Sequence, residues 1–244
     1  MSILSALKKS KPVHLTLIDP GSSSIGEALR IAQVAYDAGT DAFLIGGSTN
    51  VINQNLDAIA EGIKKNTDKP VILFPGNING LTSYADAVFY LILMNSVDPY
   101  YITGAHVQAA PILLRMKLEV IPTPYIIIGY GGTVGHIGKA LPVPNDKPGL
   151  IASYALAGGF MGAGAIYLEA GSGAPFTVNL EGVKLSRMLL DEAGLDPLLI
   201  VGGGIKNESS ARELIGSGAD AIVTGTLAEE DPEKLKEIIR SIKE

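Results

Sequence analysis

Short runs of apolar, β-branched residues alternate with longer segments whose apolar positions recur every three or four residues. The short runs fall at 13–18, 42–46, 71–74, 87–94, 125–128, 165–168, 198–201 and 221–224. Most are apolar throughout, the pattern of strands buried on both faces. The longer segments predict helices over 24–38, 52–65, 106–118, 149–160, 180–194, 208–217 and 231–243. The last is amphipathic and opens on Asp231-Pro232, a cap with proline at the first helical position.

An internal repeat ties these elements together. Ala38-Gly39-Thr40-Asp41-Ala42 aligns with Ser217-Gly218-Ala219-Asp220-Ala221, and Gly162-Ala163-Gly164-Ala165 is a looser copy. Each reads as a helix end, a glycine cap and a buried strand. Eight such units in 244 residues predict one (β/α)8 barrel domain over 1–244. A doubly wound open sheet is the competing fold, and it gives no reason for eight units. One unit is defective. Only residues 75–86 separate the third and fourth strands, and they carry breakers and no helical stripe. The third helix is expected to be missing or replaced by an irregular segment, opening the barrel wall.

Composition narrows the function. Hydrophobic residues make up 47% of the chain and charged residues 18%, which excludes disorder. The net charge of −6 and the lack of a basic stripe argue against nucleic acid. There is no cysteine, which removes disulfides, thiolate metal sites and cysteine nucleophiles. No long charge-free apolar run predicts a membrane span and no signal core opens the chain, so a cytoplasmic protein is expected.

In barrels the chemistry sits where strands finish. Glycines follow the seventh and eighth strands, at Gly202-Gly203-Gly204 and Gly225-Thr226, and predict a phosphate site built from backbone N–H groups. Asp19 follows the first strand and suits a hard cation such as Mg2+, with Ser48 or Thr49 adding an oxygen. Helix capping is its bland alternative, although Ser22 to Ser24 can do that work. Glu169 ends the sixth strand and can orient or deprotonate a substrate hydroxyl. A buried salt-bridged carboxylate is its alternative.

His14, His106 and His136 read as core, helix-start or loop residues, and Asp98 and Glu119 as solvated or capping. The run Gly129-Tyr130-Gly131-Gly132-Thr133-Val134-Gly135 lacks the partners of a dinucleotide fingerprint and reads as a mobile active-site loop. Residues 142–148 read as a stiff surface connector. The charge-free stretch 152–163 reads as core or oligomer interface, with a groove for a long apolar substrate as the alternative.

Several of these segments, taken in order, resemble the geranylgeranylglyceryl phosphate synthases, archaeal prenyltransferases with bacterial relatives that use longer chains. They are His14-Leu15-Thr16-Leu17-Ile18-Asp19-Pro20, Gly46-Gly47-Ser48, Asn95-Ser96, Tyr167-Leu168-Glu169-Ala170-Gly171-Ser172-Gly173, Val201-Gly202-Gly203-Gly204-Ile205 and Val223-Thr224-Gly225-Thr226. The resemblance implies a modified barrel whose third helix is replaced. It also implies Mg2+-dependent transfer of geranylgeranyl from its diphosphate to the primary hydroxyl of sn-glycerol 1-phosphate, the first ether bond of archaeal lipids. Carried over, Asp19 and Ser48 hold Mg2+. Tyr167, Leu168, Glu169, Ala170, Gly171, Ser172 and Gly173 contact the glycerol phosphate, and Gly203, Gly204, Gly225 and Thr226 hold its phosphate.

The chain departs from the family at Leu17, where some relatives carry lysine, and at Gly21-Ser22, where Asp-Lys is common. Tyr100 or Tyr101 is expected to limit tail length. The family also suggests a homo-oligomer, dimer or hexamer, with transient membrane contact for product release. Two other functions compete: an isomerase or lyase of a phosphorylated sugar or indole precursor, and a non-catalytic phosphate-binding protein. The former would carry a lysine inside a strand, and none lies in these runs.

Overall fold

The computed structural model describes residues 1–47 and 53–243. Eight parallel strands close into a barrel in sequence order, β1 to β8. They are β1 Val13–Ile18, β2 Ala42–Ile45, β3 Val71–Leu73, β4 Ala87–Leu93, β5 Glu119–Ile127, β6 Ala165–Glu169, β7 Leu198–Gly202 and β8 Ala221–Thr224. The helices are α1 Ile3–Lys9, α2 Ile25–Ala38, α3 Asn53–Asn66, α4 Ala105–Met116, α5 Gly132–Ile137, α6 Pro148–Phe160, α7 Leu180–Glu192, α8 Glu208–Gly216, α9 Thr226–Glu230 and α10 Pro232–Ser241. The barrel reading therefore holds.

Alternation along each strand splits the core in two. Val13, Leu15, Leu44, Ile72, Phe89, Tyr125, Tyr167 and Ile200 fill the barrel interior. Ile166, Leu168, Val201 and Ile222 face the helices and pack on Ile151, Val183, Leu214 and Ile238. Between β3 and β4 there is no crossover helix, only a 3-10 turn at Ile78–Gly80, as the short connector predicts.

β5 is longer than its apolar run, starting at Glu119 instead of residue 125. Its first half contains Pro122 and Pro124, which read against a central strand. The register explains their tolerance. Glu119 to Pro124 pair with β4, and pairing with β6 begins only at Tyr125. The prolines lie before the β6 register begins, where a missing N–H breaks no β5–β6 pair, although the Pro122 carbonyl already accepts the Gly164 N–H at 2.9 Å. Helix α1 lies outside the helices that the periodicity predicts. It packs Leu7 into the barrel interior, and Glu119 accepts its Ile3 and Leu4 N–H groups, so Glu119 does cap a helix.

Two other expectations are corrected. The 129–135 run is not a loop throughout, because Gly129, Gly131 and Gly132 turn the chain into α5. Residues 142–148 are not only a surface connector: Val143 is buried and bridges Ile128. The charge-free helix α6 packs one face on α7, where Gly159 meets Leu190 and Gly182 meets Ile151, while Leu150 and Phe160 stay exposed; none of its residues lines the cavity at the barrel mouth. Among the described residues no helix is long and apolar enough to cross a membrane.

Candidate active site

A cavity of about 680 Å³ opens at the C-terminal mouth of the barrel. Its two ends differ in chemistry. One is lined by Asp19, Glu169, Ser172, Gly203, Gly204, Gly225, Thr226 and Glu229. The other is lined by Leu81, Val88, Tyr90, Ala109 and Leu113, which belong to the packing layer outside the barrel. The cavity thus passes from the mouth across β4, into the space that a third crossover helix would fill.

Glu169 ends β6 pointing inward and is 6% exposed. The Gly171 N–H donates to its Oε1 at 2.6 Å, and the Tyr125 hydroxyl donates to its Oε2 at 3.2 Å. Burial pushes the carboxyl up from the usual range, opposed by Gly171, Tyr125 and Tyr167. It has no ion-pair partner among the described residues, so the salt-bridge alternative fails. Burial also holds the phenols of Tyr125 and Tyr167 well above their ordinary value, so both stay protonated. Gly203 crosses directly over this carboxylate. Its φ is +83°, and a Cβ there would fall 2.5 Å from Glu169 Oε1.

Asp19 does not cap α2; Ser24 does, accepting the Glu27 N–H at 3.3 Å. Among the described residues, Asp19 Oδ1 accepts from Gly21 alone, at 2.8 Å. Burial pushes Asp19 up as well, partly offset by that bond. Gly47 approaches so closely that a Cβ would sit 2.1 Å from Asp19 Oδ2. Ser48 and Thr49 lie outside the described residues. Glu229 on α9 is a carboxylate that the sequence reading missed. It faces the same cavity and accepts from Ser22 Oγ at 2.6 Å. Burial raises it, and Asp19 adds to the effect. Its spacing three residues after Thr226 was the available signal.

The 167–173 run divides. Tyr167, Glu169, Ser172 and Gly173 line the cavity, and Ser172 Oγ lies 2.8 Å from Thr226 Oγ1. The side chains of Leu168 and Ala170 instead pack in the outer layer, because strand alternation turns them away. Any ligand contact from these two is through backbone. Gly171 supports Glu169. Gly225 and Thr226 carry the chain from β8 into α9 beside Gly203 and Gly204. Tyr101 lines the cavity and Tyr100 does not. His14 is buried outside the barrel between Thr40 and Thr224, at 3.0 Å from each hydroxyl. His106 lines the apolar end, edge-on to the ring of Tyr90.

Comparison with known proteins places this geometry. The chain matches the PcrB family over residues 5–243. It belongs to the PcrB family. One PcrB relative, the geranylgeranylglyceryl phosphate synthase of Aeropyrum pernix, is 49% identical over 95% of this chain and 91% of its own length. That of Sulfolobus acidocaldarius is 46% identical over 97% of this chain and 91% of its own. The crystal structure of (S)-3-O-geranylgeranylglyceryl phosphate synthase from Thermoplasma acidophilum, in complex with its substrate sn-glycerol-1-phosphate, superposes with a TM-score of 0.93. It is 41% identical and covers 100% of this chain and 99% of that one. The resemblance read from the motifs is thus upheld across the chain.

Proposed function

We propose that this protein transfers a geranylgeranyl group from its diphosphate to the free primary hydroxyl of sn-glycerol 1-phosphate. One observation carries the reading. A single cavity joins a glycine-built polar end, with Glu169 at its centre, to an apolar groove through the gap left by the third crossover helix. An alcohol bearing a phosphate and a donor bearing a long hydrocarbon tail are the two ligands this shape separates. The PcrB relatives named above support the same pair of substrates.

The chain's own residues divide the work. Backbone N–H groups around Gly203, Gly204, Gly225 and Thr226 would hold the phosphate without bringing a charge. Glu169 would accept a hydrogen bond from the glycerol hydroxyl and take its proton as the new C–O bond forms. The bond from prenyl C1 to the diphosphate oxygen breaks, and the diphosphate leaves with the electron pair. Alignment of hydroxyl and C1 supplies the orientation advantage. Leu81, Val88, Ala109 and Leu113 would bury the tail, at roughly 0.8 kcal/mol per CH2.

The polar end also fits Mg2+. Asp19 is a half-buried carboxylate, raised by that burial, and has no cationic partner among the described residues. A hard cation such as Mg2+ is commonly held by one or two carboxylates together with substrate phosphates. Asp19 would hold it, with Ser48 completing the set. Bound there, Mg2+ would supply charge compensation for the leaving diphosphate.

The test is transfer of radiolabelled sn-glycerol 1-phosphate into an organic-extractable product, with geranylgeranyl diphosphate and either Mg2+ or EDTA. Product that depends on Mg2+ and collapses in Glu169→Gln is expected. Absence of product, with glycerol phosphate still bound, would overturn the assignment. Extraction that survives EDTA would overturn the role given to Mg2+.

A further inference from the structure

We infer that Tyr125 is a positioning residue, which locks the Glu169 carboxylate in the orientation that receives the substrate proton. The inference rests on the proposed role of Glu169 and adds to it a residue from a neighbouring strand. Tyr125 projects inward from β5 and is 5% exposed. Its ring meets Phe74, just after β3, edge-on, with centroids 5.7 Å apart, and Tyr167 of β6 at 5.1 Å. Phe74 and Tyr167 also meet each other, at 5.3 Å, so the three rings pack as a cluster that holds the Tyr125 ring, and its hydroxyl ends on Glu169 Oε2. Gly171 fixes the other oxygen. With a donor on each oxygen and Tyr167 as a third donor, the carboxylate plane is set.

The groups facing Glu169 are few. Tyr125 comes from β5, Tyr167 from its own strand, and the Gly171 N–H from the loop that follows. Gly202 and Gly203 on the β7 side bring no titratable side chain. A hydrogen bond donated to the charged carboxylate favours that form. Removing the Tyr125 hydroxyl therefore moves Glu169 titration to higher pH, and strengthening the donor moves it lower.

Two variants test this. Tyr125→Phe keeps the ring and its contacts and removes the hydroxyl. Replacement of Tyr125 by 3-fluorotyrosine keeps the hydroxyl and makes it a stronger donor. Glu169 titration is read by infrared difference spectroscopy against Glu169→Gln, alongside the pH profile of kcat/KM. The phenylalanine variant is expected to raise the midpoint and the acidic limb together, by about one pH unit, with a tenfold or greater loss of kcat. The fluorotyrosine protein is expected to shift both downward. A Glu169 midpoint unmoved in both proteins overturns the role of Tyr125. Wild-type protein that transfers no prenyl group, while its Glu169 midpoint still responds to Tyr125→Phe, overturns the proposed reaction instead.

Discussion

Gly203→Ala is the sharpest single perturbation of the polar end. The new Cβ would lie 2.5 Å from Glu169 Oε1, where ordinary contact begins near 3.4 Å, so something must move by about 0.9 Å. Gly171 N lies 2.7 Å away and blocks escape on that side. The backbone adds its own cost, because a φ of +83° disfavours any residue with a Cβ by about 1–2 kcal/mol. For a chain of this length that lowers Tm by about 2–8 °C. Displacing a reacting group by roughly 1 Å costs about 100-fold in rate. Prenyl transfer should therefore fall about 100-fold in a protein that remains folded, measured by product extraction beside thermal unfolding. In a Glu169→Gln background the same alanine should cost far less, since both changes disable one carboxylate. Wild-type turnover by folded Gly203→Ala would refute the reasoning. A fully multiplicative loss in the double variant would place the damage in phosphate binding and not at Glu169.

Two further outcomes follow from the packing. His14 is fully buried, and burial, then the Lys243 charge, lowers it to about 3; the unfolded chain protonates near 6.5, so stability is lost as pH falls between those values, by about 2 kcal/mol from pH 7.5 to pH 5. That is a Tm decrease of roughly 4–8 °C, which His14→Gln should largely abolish; an equal acid sensitivity in the variant would show that other groups dominate. Ala109, on the groove-facing side of α4 between His106 and Leu113, leaves room that a larger side chain would fill. Ala109→Leu should shift preference from geranylgeranyl toward farnesyl diphosphate by tenfold or more, since a lost isoprene unit forfeits several CH2 at about 0.8 kcal/mol each; an unchanged ratio of kcat/KM values would place the tail elsewhere.

The barrel is legible in the sequence because strands buried on both faces leave unbroken apolar runs, such as 198–201 and 221–224. The lost third helix is legible for a different reason, since twelve residues with breakers cannot hold a crossover helix. What the chain hides is strand register and short helices. Pro122 and Pro124 argue against a strand until the register shows that β6 pairs only from Tyr125. Helices α1, α5 and α9 are each two turns or less, too short for a helical period to emerge. In the site, Asp19 and Glu169 are legible because charges at the ends of apolar strands stand out. Tyr125 does not stand out, because an inward tyrosine reads as core until its hydroxyl is traced to a partner. Glu229 is hidden among the acidic residues that lead into α10.

The charge balance of the mouth bears on why glycine backbone, and not lysine, would hold the phosphate. Asp19, Glu169, Glu229 and Glu230 line the cavity against Lys206 and Lys234, so two anionic ligands enter a region already rich in negative charge. A lysine placed on Glu169 would ease entry but would also stabilise its carboxylate and weaken it as a proton acceptor. No cation figures among the groups that shift Glu169. Amide dipoles attract phosphate over a short range and leave the neighbouring carboxyl raised by burial. On the proposed reading, the remaining repulsion would be met at Asp19 by a cation that accompanies the diphosphate. Base and leaving-group compensation would then sit on different elements, Glu169 at the end of β6 and Asp19 just after β1, so each could act without cancelling the other.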